Sequence, residues 1–120
     1  MYELILYEDD KGRCEIGDYL KELRTSGNKS DRIKSNKIRL YMNALAECGF
    51  ELNSKYIKKL DEEIWELRPL RDRILFVSWN NNKFILLCYF MKKTQKTPKR
   101  EIERAHRLLE DYKKRSDDNE

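Results

Sequence analysis

Arg68 and Arg73 stand on either side of the short segment Pro69-Leu70-Arg71-Asp72, and the run Lys92-Lys93-Thr94-Gln95-Lys96-Thr97-Pro98-Lys99-Arg100 carries five basic residues and no acid. A guanidinium grips phosphate through paired N–H donors, and a lysine ammonium adds a compact, mobile charge. If residues 69–72 form a four-residue loop between two strands, Arg68 and Arg73 lie directly opposite each other. Cations so placed repel unless an anion lies between them, or unless Glu66 or Asp72 neutralises part of the charge. The basic run ends where a helix should begin, and the free N–H groups of a helix N-terminus also favour phosphate. Basic loop, helix N-terminus and arginine pair converge on a groove for a polyanion. On this reading Arg73 faces an anion and not the core, so its replacement by Ala should leave the fold intact.

Other chemistries fit poorly. The single histidine, His106, rules out a paired-histidine acid/base site, and its place beside the apolar positions Ala105 and Leu109 marks it as a surface or boundary residue. The acids Glu8-Asp9-Asp10 and Asp61-Glu62-Glu63 lie in expected turns without metal-ligand spacing, so no metal site is expected. No glycine-rich phosphate loop, dinucleotide fingerprint or nucleophile elbow is present. The three cysteines, Cys14, Cys48 and Cys88, are odd in number and widely spaced. They read as small hydrophobes in a reducing compartment.

The elements that must position these side chains follow from periodicity. Residues 2–7 are a short apolar run bounded by acids, a buried strand. Ile16, Tyr19, Leu20 and Leu23 recur at helical spacing, with Gly27 ending that helix. A second helix starts from Ser30 or Asp31 as N-cap, carries the stripe Ile38, Tyr41, Leu45 and Cys48, and meets Gly49 just past its end. Ile64–Arg68, Arg73–Trp79 and Lys83–Lys92 are rich in β-branched and aromatic residues and read as a three-stranded antiparallel meander. Asn80-Asn81-Asn82 makes its second turn, since Asn tolerates positive φ. A two-residue turn would pair Arg73 with Phe90 and bring Lys92 to the arginines; a three-residue turn would pair Arg73 with Tyr89 and bring Lys93. Thr97 as N-cap and Pro98 at the first helical position open a last helix, whose apolar face is Ile102, Ala105, Leu108, Leu109 and Tyr112. The order β-α-α-β-β-β-α predicts an α+β domain over residues 1–115, with a small antiparallel sheet carrying the helices and an acidic tail at 116–120.

The chain is 120 residues long, enough for one domain, and 40% of it is charged. The net charge of +4 is unevenly spread. Residues 55–115 hold 17 Lys/Arg against 9 Asp/Glu, a balance of +8, and the remainder sums to −4. That asymmetry points to a polyanionic partner for the C-terminal half. The first residues lack a basic stretch before their apolar run, and no segment approaches a membrane span, so a cytoplasmic protein is expected.

The stretch Lys58–Arg73, reading Lys-Lys-Leu-Asp-Glu-Glu-Ile-Trp-Glu-Leu-Arg-Pro-Leu-Arg-Asp-Arg, closely resembles RelE/HigB-type toxins, particularly the HigB-like branch first noted in phage-derived proteins. A second matching block is Phe90-Met91-Lys92-Lys93-Thr94-Gln95-Lys96-Thr97-Pro98, followed by Glu101-Ile102 and Ala105. The resemblance implies a RelE-like fold and a ribosome-dependent endoribonuclease that cleaves mRNA by attack of the neighbouring ribose 2′-OH, without metal or cofactor. It implies catalytic roles for Arg68, Arg73, Lys92 and Lys93, and RNA contacts from Lys58, Lys59, Arg71, Lys96, Lys99, Arg100 and Tyr89. Lysines of the best-known RelE proteins align with Ile64 and Glu66, and a C-terminal tyrosine of theirs falls near Thr97–Lys99. The general base is then one of Glu66, Lys93 and Lys58, while Tyr89 and Tyr56 either stack on a base or fill the core. The implied partner is a helix-turn-helix (HigA-like) antitoxin, through which alone the complex would touch DNA. That antitoxin either covers the arginine groove or docks on the outer faces of the helices at 15–26 and 31–48, the latter being favoured. The rival readings are a non-catalytic RNA- or ribosome-binding module using the same groove, and a degenerate relative that keeps only antitoxin binding.

Overall fold

The chain runs in the order β1 (Glu3–Leu6), α1 (Glu15–Thr25), α2 (Lys29–Cys48), a 3-10 turn at Gly49–Glu51, β2 (Ile57–Lys59), β3 (Trp65–Leu67), β4 (Asp72–Trp79), β5 (Lys83–Met91) and α3 (Lys99–Asp118). The structure is a computed structural model and describes residues 1–118, with side chains through residue 116. The five strands form one sheet in the order β1-β5-β4-β3-β2. The class is α+β, as expected, but the sheet is mixed, because β1 pairs with β5 in parallel. The strand β2 was not anticipated. It is three residues long with only Ile57 buried, too short to show a period.

Both faces of the sheet are covered. Ile16, Leu23, Ile38, Tyr41 and Leu45 of α1 and α2 pack on Leu67, Ile74, Phe76, Phe84 and Leu86. On the opposite face Ala105 and Leu109 of α3 pack on Ile64, Leu75, Val77, Ile85, Leu87 and Cys88. The central strands β4 and β5 therefore read as nearly continuous apolar runs and not as alternation.

Caps and turns depart from expectation in small, explicable ways. Asn28, not Ser30 or Asp31, caps α2, its side chain accepting from the backbone N–H groups of Ser30 and Asp31. The helix α1 ends on extended backbone at Ser26, so Gly27 is not a left-handed cap. Gly49 does hold a positive φ, 57°, as the C-cap of α2, and Cys48 just before it is exposed, off the expected stripe. The α3 helix begins after Pro98, whose carbonyl accepts from Glu101 and Ile102. It continues to Asp118, so most of the expected tail is its last turn, and residues 119 and 120 lie outside the described ones.

The β4–β5 hairpin combines both registers considered for it. Trp79 pairs with Lys83 across the three-residue turn Asn80–Asn82, where Asn80 and Asn81 hold positive φ. One register shift between Leu75 and Phe76 then leaves Leu87 without a cross-strand partner and pairs Arg73 with Phe90. Such a bulge re-aims every later side chain of its strand.

Candidate active site

Strand pairing places the chemistry. Glu66 pairs with Leu75 on β4 and with Lys58 on β2. Leu75 faces α3, so Glu66 and Lys58 do too. The β3–β4 ladder sets Leu67 opposite Ile74, and carried one step further it sets Arg68 opposite Arg73, as expected. The anion between the arginines is internal. Arg68 Nε lies 3.4 Å and Arg73 Nε 3.7 Å from the same Glu66 oxygen, Oε2. The other oxygen, Oε1, accepts from the Thr97 hydroxyl at 2.5 Å. Glu66 is almost wholly buried.

Arg73 corrects the expectation that it faces outward. It is buried, and its Nη1 donates to the Leu70 and Asp72 carbonyls at 2.9 and 2.8 Å, locking the β3–β4 turn. Burial pulls the Arg73 pKa down; Glu66 opposes that pull and Arg68 adds to it. Arg68 is more open, and its Nη1 donates to the Ser54 carbonyl at 2.8 Å.

Beside this cluster lies a cleft of about 420 Å³ lined by Leu70, Arg71, Arg73, Lys92, Lys93, Thr94 and Gln95. Four of its lining residues are cations and none is an acid. The Lys92 N–H donates to the Arg71 carbonyl at 2.7 Å, holding the strand end against the turn. Both Lys92 and Lys93 line the cleft, so neither alternative for the basic partner excludes the other. Lys93 also borders a second cleft of about 750 Å³, with Lys96, Lys99 and Arg100 around it. Thr97, expected to cap α3, borders it as well, spending its hydroxyl on Glu66. Sequence reasoning missed that contact, and nothing local signals it.

Two expected RNA contacts lie elsewhere. Tyr89 is on the α1/α2 face, stacked on Tyr19 with ring centroids 4.1 Å apart, because the bulge flipped it away from Arg73. Lys59 pairs with Trp65 and shares that opposite face. Tyr56 packs against Tyr41 in the same layer. His106 sits at the boundary, 2.6 Å from Asp61. Asp61 also accepts from the backbone of Glu63 and Ile64, so the acid cluster there organises a turn.

A carboxylate between two guanidiniums, accepting from an alcohol and bordered by a cleft whose charged residues are all cations, can accept a hydroxyl proton, and the cleft can bind a phosphate beside it. Among the described residues no helix is long and apolar enough to cross a membrane. No curated protein matches the chain. Residues 28–110, more than two thirds of the sequence and all the elements that build the cluster, match the family model described as phage-derived protein Gp49-like (DUF891). The chain therefore belongs to the phage-derived Gp49-like family, which is RelE-like and toxin-like.

Proposed function

We propose that this chain is the toxin of a type II toxin–antitoxin pair and acts in the cytoplasm as a metal-independent endoribonuclease on ribosome-bound mRNA. The observation that carries the reading is the Thr97 hydroxyl donating to Glu66 beside the cationic cleft. An alcohol O–H on a carboxylate is the ground-state arrangement of general-base catalysis, and a ribose 2′-OH would take the place that Thr97 holds in the free protein.

The step balances as follows. The 2′-oxygen forms a bond to the adjacent phosphorus and its proton passes to Glu66. The bond from phosphorus to the 5′-oxygen breaks, and that oxygen takes a proton from the Lys93 or Lys92 ammonium. The products are a 2′,3′-cyclic phosphate and a 5′-hydroxyl. Arg73 and Arg68 stabilise the charge that builds on the phosphoryl oxygens. Lys58, on the Glu66 face of β2, and Lys96, Lys99 and Arg100, around the second cleft, would hold flanking phosphates.

The test is cleavage of a defined mRNA by the purified protein, free and on programmed ribosomes, with the cut ends mapped. Cleavage is expected only on the ribosome, and Glu66→Gln should slow it by about 10²–10⁴-fold. Efficient cutting of naked RNA at physiological salt would overturn ribosome dependence. No cutting in either setting, with binding retained, would show a binding module in place of an enzyme.

A further inference from the structure

On the far side of the Leu70–Arg71 turn from Glu66 lies a groove of about 510 Å³ whose apolar lining is Ile33, Leu70 and Met91. These side chains are among the few large hydrophobics left in water, at 51%, 47% and 48% exposure. Lys29, Lys34 and Arg71 complete the lining with Ser30; Lys34 is turned to the buried Asp72, 3.6 Å away, which leaves Lys29 and Arg71 to carry the charge of the rim. Leu70 holds a φ of 55°, a backbone that Gly or Asn adopts at lower cost. That backbone, held by Arg73 through the Leu70 carbonyl, presents the leucine side chain to the groove half exposed. The groove adjoins the 420 Å³ cationic cleft across the turn, since Leu70 and Arg71 line both.

We propose that this groove is the docking site of an acidic amphipathic segment of the neutralising antitoxin, a proposal that rests on the toxin reading above. The apolar side chains of such a segment fill the space between Ile33, Leu70 and Met91. Its carboxylates meet Lys29 and Arg71, close to the N-terminus of α2, whose dipole favours negative charge as well. Continuing along the groove, the segment enters the cationic cleft and takes the phosphate's place opposite Arg71, Lys92 and Lys93. Inhibition is then direct, with only the first turns of α2 covered on the way to the cleft.

Two other occupants fit less well. Single-stranded RNA stacks its bases on aromatic rings, and the groove has none. A second copy of this chain would bring one cationic rim against another.

The experiment uses the full chain and the product of the adjoining gene as probe. Ile33→Asp and, separately, Lys29→Glu change the groove without touching either RNA cleft; Leu40→Asp, also half exposed on α2 but outside the groove, is the control. Ile33→Asp and Lys29→Glu should each weaken binding of the probe by about tenfold or more. Co-expression should then fail to restore growth, while cleavage of ribosome-bound mRNA is unchanged and Leu40→Asp behaves as the original chain. Unchanged probe binding by both groove variants, with the original chain still toxic and still neutralised, would overturn the docking site and leave the toxin reading standing. Loss of mRNA cleavage in the groove variants, with probe binding intact, would assign the groove to RNA and overturn the proposal. An original chain that neither arrests growth nor binds the probe would overturn the toxin reading, and this inference with it.

Discussion

Arg73 serves two structures at once. Its Nη1 ties down the carbonyls of the β3–β4 turn while its Nε faces Glu66. Arg73→Ala therefore strips the turn of two bonds and leaves a buried carboxylate with one cation fewer. Breaking a buried charged contact of this kind costs about 3 kcal/mol, so the variant should lose stability as well as toxicity. Arg68, with a quarter of its side chain exposed, should lose about 1 kcal/mol or less on change to Ala. Urea unfolding of the two variants checks the order, and equal stabilities would mean that Arg73 does not hold the turn. Removing Glu66 and Arg73 together should cost less than the sum of the single changes, since each alone strands the other. The identity of the pair was legible from the four-residue spacing. Glu66 was legible too, as one of two acids that could neutralise the pair; the burial of Arg73 was not, because Thr97 reaches Glu66 only through the approach to α3.

Elements show the same division between local and distant causes. Gly49 was recognisable as the end of α2, and the structure supplies a second reason for it. A Cβ there would meet the Tyr2 ring at 2.6 Å, on a backbone already at φ of 57°. Gly49→Ala should lose about 2 kcal/mol and lower Tm by roughly 5–10 °C. Gly27 has nothing within 4 Å and no left-handed φ, so Gly27→Ala should be neutral or slightly stabilising. Comparable losses in differential scanning calorimetry would mean that the Tyr2 contact is absent. The thiols report on elements too. Cys48 is exposed on the last turn of α2, whereas burial in the central strand pushes the Cys88 thiol up to about 12. Cys48 should react with a thiol reagent in the native protein and Cys88 only on unfolding. Rapid native labelling of Cys88 would show that β5 opens.

For the molecule as a whole, polar contacts pin α3 to elements distant in the chain. Its His106 meets Asp61 before β3, Asp111 accepts from the Tyr7 hydroxyl at 2.5 Å, and Arg104 pairs with Glu15 of α1. Burial alone would push the Asp61 carboxyl up. The hydrogen bond from His106 and those from the backbone N–H groups of Ile64 and Glu63 outweigh it and hold the carboxyl below its ordinary value. A depressed carboxylate pKa adds stability that is fully present above the unfolded value, about 3.9, and is lost as pH falls through the folded one. Asp61→Asn should thus be less stable than the original chain at neutral pH, with the gap narrowing as pH drops below about 4. Thermal melts across that window check it, and a gap that stays constant would show that the charge of Asp61 is not involved.

Periodicity by itself determined the three helices, the apolar runs of β1, β4 and β5, and the opposition of Arg68 to Arg73, because each depends on residues close in sequence. Charge distribution by itself located the cationic clefts in the C-terminal half. The tertiary structure alone decided the parallel seat of β1, the short β2, and the bulge at Leu87 that turns Tyr89 towards α1 and Phe90 towards α3. It also brought Thr97 to Glu66 across 31 positions of chain. A strand's period of two residues says which side chains share a face, but not which face, and one unpaired residue exchanges them all. That choice belongs to the packing of both helical layers on the sheet, and no local stretch of sequence contains it.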